Sequence, residues 1–183
     1  MRVIIAGLLG GFAMYVWATI AHLSPLAQIG VHTIPKPGDA VVATSLKLAL
    51  GDQDGVYIYP TPAAKMDATK AGGAKTQVEG MFSYNSAGPA GLEPRQLVTE
   101  FVLELVESLL MAVIAAMAAV GFGRRVGIAT LVGVIAGMAT NASYWNWYGF
   151  GLDYTLANAF IELVKFVVAG LVIALILGRR RTA

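Results

Sequence analysis

The chain contains no cysteine. Disulfide bonding, thiolate nucleophiles, iron–sulfur ligation and cysteine-bound zinc are therefore closed to it. So is the dithiol chemistry of small four-helix membrane redox proteins. Histidine is nearly as scarce. His22 and His32 are the two present, with no HExxH pattern and no paired-histidine spacing. No catalytic residue or metal ligand set emerges, and no cofactor is expected. Charged residues make up 13% of the chain, against roughly 25% in a soluble domain. The net charge of +2 and the absence of a basic stripe between aromatics exclude nucleic acid as a partner. Gly72, Gly73 and Lys75 lack the rest of a phosphate-binding loop and read as linker. No inverted repeat of the kind that builds transporters is visible.

Apolar sequence is what the chain has in quantity: 57% hydrophobic residues and a mean hydropathy of +0.67. Four apolar segments, at residues 3–21, 98–120, 126–140 and 156–177, approach the ~20 residues that cross a bilayer. They define spans at 1–22, 98–122, 123–141 and 156–178. The first apolar run exceeds the ~7–15 residues of a signal-peptide core, so a retained anchor is expected. Arg2, the pair Arg124 and Arg125, and the run Arg179, Arg180 and Arg181 fall on one side of a four-span chain. The positive-inside rule makes that side cytoplasmic. Both termini, with the tail at 179–183, are then cytoplasmic, in a bacterial inner membrane. Residues 23–97 are periplasmic, and 142–155 form an outer aromatic turn. Trp17, Tyr144, Trp145, Trp147 and Tyr148 are expected as interfacial aromatics.

The long outer segment has its own signals. Asp39 reads as the N-cap of a short amphipathic helix, AVVATSLKLAL, that Gly51 ends. GVYIYP (55–60) and VEGMFSYN (78–85) read as strands. The small, polar stretch 61–77 between them reads as a long mobile loop, and 86–94 as turns. The expected fold is an all-α membrane protein, a four-transmembrane-helix bundle with a small α/β extracytoplasmic cap between helices 1 and 2.

Helical wheels give each span one face of small residues. Gly7 and Gly11, with Gly10, Met14, Ala18 and His22, share a face of the first, as small-xxx-small spacing requires for close approach in lipid. Glu100, Glu104 and Glu107 continue as Met111, Ala115, Ala118 and Ala119 in the second. Its opposite face, Val102, Leu105, Val106, Leu109, Val113 and Val120, is expected to meet lipid. Gly133 and Gly137 lie with Thr130, Thr140 and Asn141 in the third, and Asn158, Glu162, Lys165 and Ala169 lie together in the fourth. With these faces inward, His22, Glu104, Glu107, Asn141, Asn158, Glu162 and Lys165 form a buried polar cluster in the outer half of the bundle, beneath the cap. Ionisable groups in a span are costly and mark functional sites. Glu107 and Lys165 are the expected ion pair, with Glu104 and Glu162 as alternatives.

The segment WATIAHLSPLAQIG (17–30), with the later GVYIYP and GPAG, resembles an uncharacterised family of small four-span bacterial inner-membrane proteins. The resemblance implies a bacterial membrane setting and transfers no catalytic residue. Three functions remain open. The first is a non-enzymatic accessory or scaffold subunit of a larger membrane complex, held by the lipid bilayer and by a membrane-protein partner or a second copy. The second is a small proton- or ion-coupled transporter using the carboxylates. The third is a membrane enzyme with a carboxylate/histidine site under the cap.

Overall fold

The computed structural model describes residues 1–70, 79–88, 91, 93–118 and 120–178. It divides into two compact units, one of residues 1–31 and 92–183, the other of residues 32–91.

The first unit is helical. Helix α1 (Arg2–Leu23) is apolar throughout and buries Ala6, Gly7, Gly10, Gly11, Met14, Ala18 and Ala21 along one stripe. Ser24 ends it: its hydroxyl donates to the Ala21 carbonyl at 2.8 Å and accepts from the Leu26 amide at 3.2 Å. Pro25 then opens a 3-10 turn, Pro25–Gln28. Pro94 starts the long helix Pro94–Met117, and the Gln96 side chain accepts from the Glu93 amide at 3.2 Å. A helical run from Phe122 to Tyr148 follows, in which Met138–Ala142 forms a π turn. The last helix is Leu152–Leu177.

Three of these runs, Arg2–Leu23, Phe122–Tyr148 and Leu152–Leu177, are long and apolar enough to cross a membrane. The 24-residue helix Pro94–Met117 has the length but carries Arg95, Glu100, Glu104 and Glu107. The helix that holds the third expected span runs on past the expected end of that span. The helix does not stop at residue 141 and the aromatic stretch is not a turn, because neither glycine nor proline interrupts the chain between 138 and 148. Reversal waits for Gly149, whose φ of 70° lies in the left-handed region that glycine adopts without strain. Arg124 and Arg125 sit in the first turn of the helix Phe122–Gly137.

The second unit holds helix α2 (Gly38–Leu50), strand β1 (Gly55–Tyr59), helix α3 (Pro62–Lys70) and strand β2 (Gly80–Tyr84). Continuing the count, Pro94–Met117 is α4, Phe122–Gly137 α5, Ser143–Tyr148 α6 and Leu152–Leu177 α7. The strands pair antiparallel, with Tyr57 opposite Phe82 and their rings stacked at 5.7 Å. Two expectations fail here. Asp39 does not cap α2; the helix begins one residue earlier and the carboxylate accepts from the adjacent Ala40 amide. The first half of the expected loop 61–77 is α3, since alanine, lysine and methionine favour helix and Pro62 suits its first turn. Gly72, Gly73, Lys75 and Val78 lie outside the described residues, as do Ala119 and Arg179, Arg180 and Arg181.

Within the helical unit, α1 and α7 form the centre. α1 packs broadly on α4 and α7, α5 packs on α7, and α4 meets α5 at few points. The arrangement is therefore not a bundle of four equal inward faces. Its core is Ala6, Met14, Met111, Ala112, Ala115, Ala129, Phe166, Ala169 and Ile173. Small residues set the spacing. A Cβ on Gly7 would lie 2.8 Å from the Leu109 Cα, and one on Gly11 2.7 Å from the Leu105 Cα. Gly133 and Gly137 sit against the α7 backbone at Leu163 and Ala159. Leu105 and Leu109 thus face α1, not lipid: the close approach of Gly7 and Gly11 turns that edge of α4 inward.

Candidate functional site

The rotation of α4 decides which carboxylate is buried. With Leu105 and Leu109 against α1, the inward stripe becomes Glu104, Ser108, Met111, Ala112 and Ala115. These recur at helical spacing, as a buried face must. Glu100 is left exposed, toward the N-terminal end of α4. Glu104, one of the alternatives for pairing, is the most enclosed acid, with a side chain 1% exposed.

Lys165 reaches this stripe from α7 and is itself 9% exposed. Its Nζ lies 3.0 Å from Glu107 Oε2, 3.0 Å from Glu162 Oε1 and 3.4 Å from Glu104 Oε1. An ammonium has three N–H donors, and here three carboxylates surround it. Glu162 belongs to the same helix, one turn away, and is 25% exposed; Glu107 is 40% exposed. The 3.4 Å separation is long for a hydrogen bond, and neither Glu104 oxygen has a hydrogen-bonding partner. The Ser108 hydroxyl, one turn further along α4 and fully buried, also lacks one.

The cluster lies at mid-helix. Glu104 and Lys165 are each near the midpoint of their helices, and the Glu104 carbonyl faces Gly11, near the midpoint of α1. It does not gather all seven expected residues. His22 is exposed at the end of α1, and its Nδ1 lies 2.8 Å from the Ala18 carbonyl. With Tyr15, Thr19, Gln96, Leu97 and Glu100 it lines a separate groove of about 390 Å3 between α1 and α4. Asn141 donates to the Gly137 carbonyl at 3.2 Å, inside the π turn. Asn158 donates to the Tyr154 carbonyl at 2.9 Å. Both amides thus serve their own helix. Among the described residues, no group of three or more histidine or acidic side chains is arranged to hold a metal ion.

The aromatics divide. Trp17 makes a contact within the fold: its indole N–H donates to the Ile161 carbonyl at 3.0 Å and ties α1 to α7. Tyr144, Trp145, Trp147 and Tyr148 remain exposed, and Tyr144 stacks on Phe150 at 5.5 Å. Sequence reasoning missed Arg125. It is 5% exposed and donates from Nη1 to the Gly178 carbonyl, capping the end of α7. Its position one turn before Ala129, on the buried stripe of α5, was the available signal.

Comparison with protein-family models, with curated proteins and with solved structures finds no match to this chain.

Proposed function

We propose that the chain is an integral protein of a bacterial inner membrane, with four spans and both termini in the cytoplasm. It acts there as a non-enzymatic accessory or scaffold subunit of a larger membrane complex. On this reading α4 is the fourth span and residues 23–97 are periplasmic. One observation carries the proposal: the helical unit exposes large apolar side chains and encloses charged ones beside its apolar core. Large apolar side chains are exposed along all four long helices, among them Phe12, Leu110, Leu131 and Leu175. The charges of α4 that lie within its middle turns are gathered on Lys165. Such a surface suits lipid and neighbouring transmembrane helices. The slight contact between α4 and α5 leaves both of them wide faces for a partner.

Two measurements test this. Reporter fusions after Arg124 and at Ala183 should read cytoplasmic, and one near Gly72 external; an external reading after Arg124 removes α4 as a span. A photo-crosslinker at Leu110 or Leu131, in cells, should then give one discrete adduct with a membrane protein or a second copy. Labelling of lipid alone at both positions overturns the accessory role. A second reading, a proton- or ion-coupled carrier, is favoured by the excess of carboxylates around Lys165.

A further inference from the structure

We infer that the cluster on Lys165 is a reversible proton-binding site, and that Glu104 is the group that holds the proton. This deepens the second reading, and rests on the helix packing rather than on the choice of partner. One ammonium can balance one carboxylate, yet three lie within 3.4 Å of it. The Glu107 and Glu162 side chains are 40% and 25% exposed, so each reaches solvent, although Glu107 Oε2 is itself buried and makes no hydrogen bond. Glu104 is 1% exposed, and both its oxygens are without a hydrogen-bonding partner. It is therefore the one carboxylate of the three with both oxygens enclosed and neither hydrogen-bonded, facing Lys165 only at 3.4 Å. A buried ionised carboxylate in that state is expensive, whereas the neutral acid is tolerated. The step is simple: an O–H bond forms on Glu104 as an O–H bond of hydronium, or of the Glu107 acid, breaks. Glu107 is on the same helix, touches the same ammonium and is more exposed, so it is the proton's way in and out.

The surroundings offer no other compensation. From α7 the cluster meets Lys165 and Glu162. From α4 come Glu107 and, more than a turn outward, the exposed Glu100. α1 turns glycines, alanines and Met14 toward the core; its Arg2 and His22 are at its two ends, and Tyr15 packs on Phe101. On α5, Arg125 is occupied with Gly178. A metal cation is disfavoured because Lys165 already fills the centre and no metal-holding group is formed among the described residues.

The test is an infrared pH titration of the full chain in phosphatidylcholine nanodiscs, with carboxyl-13C glutamate to identify the bands. One protonated-glutamate C=O band should persist at pH values where solvent glutamates are ionised, and disappear at higher pH. Glu104→Gln should abolish that band. Glu107→Gln should keep it but slow its response to a pH jump several-fold. Should Glu104→Gln fail to fold, the wild-type titration still decides: all glutamates ionising together overturns the site. A titration midpoint that moves with NaCl but not with choline chloride would assign the site to a metal cation instead. A persistent band in a chain that crosslinks no partner would keep the proton site while removing the accessory role.

Discussion

Lysines meet carboxylates in both units of the chain, and the surroundings differ. In residues 32–91, Lys47 pairs with Asp52 and Lys65 with Glu79, every one of these side chains more than half exposed. Among the long helices, Lys165 is 9% exposed and its nearest acids include one that is 1% exposed. In the first setting water solvates each charge whether or not the pair forms. In the second, Lys165 and Glu104 have little water to turn to, so their compensation comes chiefly from the partners. The same contrast holds for particular glycines: Gly7, Gly11, Gly133 and Gly170 in the helical unit sit against neighbouring helices, while among the described residues Gly51 and Gly80 in the other unit have nothing within 4 Å.

The largest effect expected from this contrast is at Lys165. Lys165→Met leaves three carboxylates around an apolar side chain. Loss of one partner of a buried pair costs about 3–5 kcal/mol in soluble proteins. The cluster makes Glu107→Gln milder, because the ammonium keeps two acids. It also means that adding Glu107→Gln to Lys165→Met restores only part of the loss, since Glu162 stays unbalanced. In the other unit, Lys65→Met should cost only ~0–1 kcal/mol, as exposed pairs do. Denaturation of the four variants in one detergent measures all of this. Equal losses for Lys165→Met and Lys65→Met would erase the distinction between the two regions.

A smaller effect, of opposite sign in the two units, is expected at glycine. An alanine Cβ at Gly11 would meet backbone of α4, 2.7 Å from the Leu105 Cα and 3.0 Å from the Glu104 carbonyl oxygen. The helices must part, and overpacking of this kind costs about 1–3 kcal/mol. Gly80 has open space and no left-handed φ. Gly80→Ala should be neutral or stabilise by up to ~1 kcal/mol, through a less disordered unfolded chain. Thermal midpoints of the two variants settle it, and a tolerated Gly11→Ala would mean that α1 and α4 are not in close contact.

What was legible in the sequence follows the same division. Long apolar runs and glycine spacing are local signals, and they located three membrane-length helices and placed Gly7, Gly11, Gly133 and Gly137. The rotation of α4 was not legible. A wheel of α4 alone offers Glu100–Glu104–Glu107 and Glu104–Ser108–Met111 as equally regular stripes. The choice between them is made by Gly7 and Gly11, which lie about a hundred residues away and accept Leu109 and Leu105. The same tertiary contact places Glu104, rather than Glu107, deepest. The hydrogen bond of Trp17 was not legible for a similar reason, because its partner at Ile161 is invisible to any local pattern. In residues 61–77, a polar composition hid α3, since surface helices and loops share their residue types.

The smallest expected effect is a pH dependence confined to the exposed unit. Asp54, just before β1, accepts the Ser86 backbone N–H at 2.7 Å, just beyond β2. That bond, more than any neighbouring charge, holds the Asp54 carboxyl below its usual value. A folded-state value below the unfolded one contributes stability that is complete above the unfolded carboxylate value. It is lost as pH falls through the lower, folded value. Amides of β1 and β2 should therefore keep constant exchange protection from neutral pH down to the ordinary carboxylate range, and lose part of it below. Asp54→Ala should lower the protection at neutral pH and flatten its acid dependence, leaving α1 and α7 amides unchanged. The two ends of the hairpin are joined by this contact and by the Tyr84 hydroxyl on the Gly51 carbonyl at 2.9 Å. Tyr84→Phe removes the second contact without a titrating group, so it should lower protection equally at every pH. An acid dependence that survives Asp54→Ala would show that another group governs this unit, and that its charges are less independent than their exposure implies.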